Sequence, residues 1–165
     1  MLFRSAILAN FLLNFFSQDG HEDRPGARQR YGEWVLATAE SIWHLFTAKF
    51  RKLWSTEAAG DAYPRDLFAG DEGRARLAGE QCAYLTGLWQ DTLGFAAAEM
   101  IRRILGLAHN IDLEWINDKP TRAACEARAL TLARDMMVNP GNYPGPSIVT
   151  EAARRLRSWQ PPLGR

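Results

Sequence analysis

Charged side chains set inside an apolar helix are the first place to look for chemistry. The chain has one such place, Glu99-Met-Ile-Arg-Arg-Ile104. On a helix Glu99 and Arg103 are four residues apart and face the same way, so they can pair. Arg102 points about a quarter-turn away. Leu88, Trp89, Met100, Ile101, Ile104 and Leu105 stand around them, which predicts partial burial. A partly buried guanidinium needs carboxylate, phosphate or hydroxyl partners. Spacing alone favours a structural salt bridge between Glu99 and Arg103 over ligand binding, with Asp91 as a further candidate partner.

The remaining candidates are weaker. His109 follows a helix end, where a protonated imidazole suits the helix dipole. Arg154-Arg-Leu-Arg157 is a short basic run beside a neutral body and reads as a solvated face. His21-Glu-Asp23 resembles a kinase catalytic loop only superficially. The position that should hold Asn is Arg28, and Pro25-Gly26 marks an ordinary loop. Cys82 and Cys125 form no CxxC, so two buried, reduced thiols are expected. Gly-x-Gly, Gly-Lys-Ser/Thr, Gly-x-Ser-x-Gly and His-Glu-x-x-His are all absent. No catalytic, cofactor-binding or metal-ligating residue is therefore expected within the chain.

The elements that must position these residues read as helices. With 165 residues, 47% of them apolar and 24% charged, the chain can bury a real core and is not disordered in bulk. Its 20 basic and 19 acidic side chains nearly cancel, which argues against nucleic acid as a partner. The apolar run at the N-terminus is broken by Asn10 and Asn14 and has no small-x-small cleavage site after it. It is also shorter than the roughly 20 apolar residues of a membrane span. No membrane association and a cytoplasmic location are expected.

Apolar spacing predicts helices over about 5–17, 28–56, 71–107 and 121–137, a short element near 111–116, and a last helix over 147–159. Asp19-Gly20, Gly60-Asp-Ala-Tyr-Pro64 and the Pro/Gly-rich segment 139–146 are breakers. Thr121 is read as an N-cap. Ala124, Ala127, Leu130, Thr131 and Arg134, closed by Met137, are read as one face of the fourth helix, and Gly94–Ala98 as a small-residue patch in the core. Strand patterns are absent, so the fold class is all-α.

Across Gln90-Asp-Thr-Leu-Gly-Phe-Ala-Ala-Ala-Glu-Met-Ile-Arg-Arg-Ile-Leu-Gly-Leu-Ala-His109 the chain resembles the S-methyl-5-thioribose kinase family. Leu8–Gln18, the Trp/Phe-rich second helix, Gly60–Pro64 and the stretches from Asp112 to Glu126 resemble it too. The resemblance covers roughly residues 8–137. It implies a protein-kinase-like fold shared with aminoglycoside phosphotransferases, of which this chain matches the helical part of the C-terminal lobe. Residues 1–138 would be that portion, with 1–5 as a candidate artefact. Residues 139–165 would be a linker and short helical tail.

In the family a twin Arg binds the thioribose. The matching residues are Arg102 and Arg103, with Arg102 on the ligand and Arg103 either on the ligand or held by Glu99. The resemblance also implies ATP and Mg2+ as cofactors of the intact family member, in methionine salvage. The Gly-rich loop, its Lys, the catalytic Asp and the metal-binding Asp-x-Glu have no counterpart in this chain. A truncated gene model, inactive alone, is therefore expected. Its partners would be methylthioribose, the N-terminal kinase lobe and, as an open option, a second copy in a homodimer. The alternative reading is a non-catalytic helical interaction module.

Overall fold

The computed structural model describes residues 2–57 and 65–161. Helix α1 (Leu2–Ser17) is apolar almost all round and sits in the centre. Ala9, Leu12, Leu13 and Phe15 have no exposed surface, and the helix touches α2 to α6. A 3-10 turn over Gln18–His21 follows. The Glu22 carboxylate then accepts the Gly26 N–H at 2.7 Å and the Arg28 N–H at 3.2 Å. Gly26 has φ +82°, a conformation that suits glycine.

Helix α2 (Gln29–Glu57) is 29 residues long. Only its first part is inserted in the core, through Val35, Leu36 and Ala39. Its distal half leans on α3 (Gly70–Leu105) through rings: Trp43 on Trp89 at 4.6 Å, Phe50 stacked on Tyr84 at 5.6 Å, and Trp54 edge-on to Tyr84. Helix α3 packs most extensively on α1 and on α5 (Lys119–Val138). Ala96 and Ala97 are fully buried, as the small-residue patch predicts, whereas Phe95 and Ala98 face solvent. Helix α4 (Ile111–Glu114) is a single turn capped by Asn110, whose side chain accepts the Leu113 N–H at 3.1 Å. Helix α6 (Pro146–Ser158) closes the bundle against α5 and α2. No strand occurs among the described residues, and the fold is all-α.

Several sequence expectations change. Asp118, not Thr121, caps α5: its carboxylate accepts the Thr121 N–H at 2.9 Å and the Thr121 hydroxyl at 2.6 Å. The buried face of α5 is Cys125, Arg128, Ala129, Leu132, Ala133 and Met136, while Thr131 and Arg134 are exposed. The cause is Arg128. It is buried because Asp19 Oδ2 lies 2.7 Å from its Nη1 and the Trp159 carbonyl lies 2.9 Å from its Nε. A charge in the middle of the true face hides that face from a hydropathy reading.

The basic run 154–157 is not simply solvated. Arg154 reaches Glu33 at 2.8 Å, and Arg157 reaches Asp19 and Glu22. Cys82 is exposed, and only Cys125 is buried. The breaker Gly60–Pro64 lies outside the described residues.

Candidate functional site

The end of α3, the short α4, the middle of α1 and the start of α2 enclose a cleft of about 550 Å³. That volume suits a small organic molecule. Each element supplies residues at helical spacing. Asn10, Phe11 and Asn14 come from one face of α1, and Tyr31, Trp34 and Val35 from α2. Arg103 comes from the last turn of α3, and His109, Asn110, Ile111 and Asp112 from the segment entering α4.

Hydrogen bonds lock this frame. The Asn14 amide donates to Asp112 Oδ2 at 3.2 Å. His21 Nε2 lies 2.6 Å from the Asp112 carbonyl, and His109 Nδ1 lies 2.7 Å from Glu114 Oε1. The first two contacts hold α4, through Asp112, to α1 and to the turn that follows it. The third ties the approach segment to the end of α4.

Glu99 organises both arginines. Its Oε1 accepts from Arg103 Nε at 2.7 Å, the i,i+4 pair that the spacing predicts. Arg102 also turns to Glu99, donating Nε to Oε2 at 2.9 Å and Nη2 to Oε1 at 2.8 Å. Partial burial pushes the Glu99 pKa up. The hydrogen bonds and charges of Arg103 and Arg102 outweigh it and leave the carboxyl below its usual value.

The structure brings Arg103 to the cleft wall, while Arg102 is more exposed and does not line the cleft. Arg103 spends only its Nε–H on Glu99 among the described residues, so its terminal amino groups are free to meet a ligand. Asp91 is exposed and takes no part in the pairing. His109, which the sequence places at a helix end, is a rim residue of the cleft.

Asn10, Asn14, Tyr31, Trp34 and Asp112 were not singled out as site residues by sequence. A signal was there for the asparagines: two amides four apart in an otherwise apolar helix share a face. Nothing in the sequence says that α2 and α4 meet over that face.

A second cleft, lined by Asp19, Glu22, Glu33, Arg128, Arg154 and Arg157, holds more charge. Its Arg128, Arg154 and Arg157 are already bound to Asp19, Glu22 and Glu33. No group of three or more His, Cys, Asp or Glu that could hold a metal ion occurs among the described residues. No helix among them is long and apolar enough to cross a membrane.

No family model matches the chain. Similarity to individual proteins is extensive. Methylthioribose kinase 1 of Oryza sativa subsp. japonica is 43% identical over 134 residues, 80% of this chain and 30% of the relative. Methylthioribose kinase of Escherichia coli O45:K1 is 36% identical over 147 residues, 89% of this chain and 35% of the relative. That of Geobacillus thermodenitrificans is 34% identical over 149 residues, 90% of this chain and 31% of the relative. The chain spans about a third of the length of these curated relatives. Over that third the chain is similar in sequence to the methylthioribose kinases.

Proposed function

We propose that the chain is the helical, C-terminal-lobe portion of a kinase that phosphorylates S-methyl-5-thioribose, and that the cleft beside Arg103 is the sugar side of the acceptor site. The observation that carries this reading is the composition of the cleft. Arg103, Asn10 and Asp112 offer donors and acceptors suited to sugar hydroxyls, next to apolar and aromatic surface. Arg103 is assigned directly to the ligand. Arg102, held bidentately by Glu99 and outside the cleft lining, is assigned to the same ligand by the family resemblance alone.

Phosphoryl transfer needs groups that hold nucleotide phosphates, a carboxylate for Mg2+ and a base for the attacking hydroxyl. The donor sets among the described residues do not fit a metal, so no step is assigned to ATP or Mg2+ here. We assign those groups to the part of the intact protein outside this chain, in line with the third of the relatives' length that it spans. The chain alone is thus assigned binding and not catalysis. Residues 1–138 form the lobe portion and 139–165 a further segment whose helix packs on it. A cytoplasmic location and a place in methionine salvage go with this reading.

The test is calorimetric titration of the chain with methylthioribose, for the native sequence and for Arg103→Ala. Saturable binding that Arg103→Ala weakens supports the assignment. Equal binding by both removes it.

A second reading, a helical interaction module, is favoured by the exposed Leu45, Leu53 and Leu67 on the distal half of α2 and the approach to α3. A well-folded monomer that binds no sugar, by light scattering and calorimetry, is the result that would favour it.

A further inference from the structure

We infer that the stacked rings of Tyr31 and Trp34 are the specificity wall of the cleft, and that they select a sugar bearing an apolar alkylthio group over the bare sugar. This inference rests on the reading of the cleft as the acceptor site. Tyr31 and Trp34 are three apart on α2, so both rings leave the helix on one side. Their centroids are 5.7 Å apart at an interplanar angle of 29°. Yet Tyr31 is 43% and Trp34 58% exposed, and both line the cleft.

Elsewhere on α2 the large rings are covered. Trp43 lies against Trp89, and Phe46, Phe50 and Trp54 form a run against one another and Tyr84. Among the described residues the ring contact of Tyr31 and Trp34 is with each other, and both stay largely exposed. Their stack keeps two rigid side chains in one pose without burying them, and so keeps an apolar plane facing the cleft.

The chemistry of the cleft is divided accordingly. Asn10, Asn14, Arg103 and Asp112 supply polar groups from α1, α3 and α4, and the ring plane comes from α2. A ligand that satisfies both sides has a hydroxylated part and a soft apolar part. A thioether suits the second role, because sulfur makes favourable contacts with aromatic rings and carries little desolvation cost. Ribose without the alkylthio group would satisfy only the polar side.

The test is calorimetric titration of the whole chain with methylthioribose and with ribose, for the native protein, Trp34→Ala, Trp34→Phe and Arg103→Ala. The native chain should prefer methylthioribose. Trp34→Ala should weaken methylthioribose by about tenfold and leave ribose within about twofold, so that the preference collapses. Trp34→Phe should restore most of it. Because Trp34 is largely exposed, unchanged circular dichroism and melting are expected for both variants.

If Trp34→Ala keeps the native preference while Arg103→Ala weakens both sugars, the wall is overturned and the acceptor site stands. If the native chain binds neither sugar, or Arg103→Ala changes neither affinity, the acceptor-site reading fails and the wall fails with it.

Discussion

Arg103 donates its Nε–H to Glu99 Oε1 at 2.7 Å, and this bond decides which way the guanidinium faces. Arg103 lines the cleft, and its terminal amino groups make no hydrogen bond among the described residues. Glu99 thus holds an arginine that lines the cleft without lining it itself.

Glu99→Gln should loosen both arginines and weaken methylthioribose binding several-fold, with less than about 1 kcal/mol lost in folding stability, since both pairs are partly solvated. The pH dependence follows from the lowered Glu99 pKa. A carboxyl whose folded pKa is depressed stabilises the fold above its unfolded value, near about 4.3, and loses that contribution as pH falls through the folded value. Urea melts of the native chain and Glu99→Gln should thus differ at pH 6, and the difference should shrink as pH falls below the ordinary carboxyl range. A constant difference across that range would remove the ion-pair account.

Asp19 and Arg128 should behave as a coupled unit. The Arg128 side chain is only 7% exposed, with Asp19 at 2.7 Å. Asp19→Asn leaves a buried guanidinium without its counter-charge and should cost about 3–5 kcal/mol. It also takes a partner from Arg157, so α6 should loosen with it. Asp19→Asn with Arg128→Met should cost less than the sum of the single changes in a urea-denaturation cycle. Additive losses would contradict the coupling.

Gly20→Ala should destabilise through one neighbour. A Cβ at Gly20 would sit 2.3 Å from Cδ1 of Ile116, which is buried and has little room to retreat. Overpacking of this kind costs about 1–3 kcal/mol. Gly20→Ala with Ile116→Ala, which removes every carbon the new Cβ would meet, should cost less than the sum of the two single changes in thermal melts, and additive losses would place the strain elsewhere.

The two cysteines should separate by reactivity. Cys82 is exposed, whereas Cys125 is fully buried, and burial pushes its thiol up to about 11. A thiol reagent such as dithiobis-nitrobenzoate at pH 8 should label one thiol in the folded chain and two in denaturant. Prompt labelling of both in the folded chain would show that the α5 face opens readily.

Helix positions were legible because apolar residues recur at the helical period, and the Asp/Gly, Pro/Gly and Asn/Pro punctuation is strong. The sequence alone was enough for an all-α chain, the Glu99–Arg103 pair and the resemblance to methylthioribose kinases. Faces and partners were less legible. The α5 face was misread because Arg128 lies in it and is neutralised by Asp19, 109 residues away. The tail arginines looked solvated because Glu33, Asp19 and Glu22 are distant in the chain.

The cleft itself is a product of tertiary packing. Asn10, Trp34, Arg103 and Asp112 come from four separate elements and converge only when α1 is wrapped by α2, α3 and α4. Local spacing encodes which residues share a helix face. Which faces meet is decided by burial of the whole apolar surface at once, and that sum is not readable from any one segment.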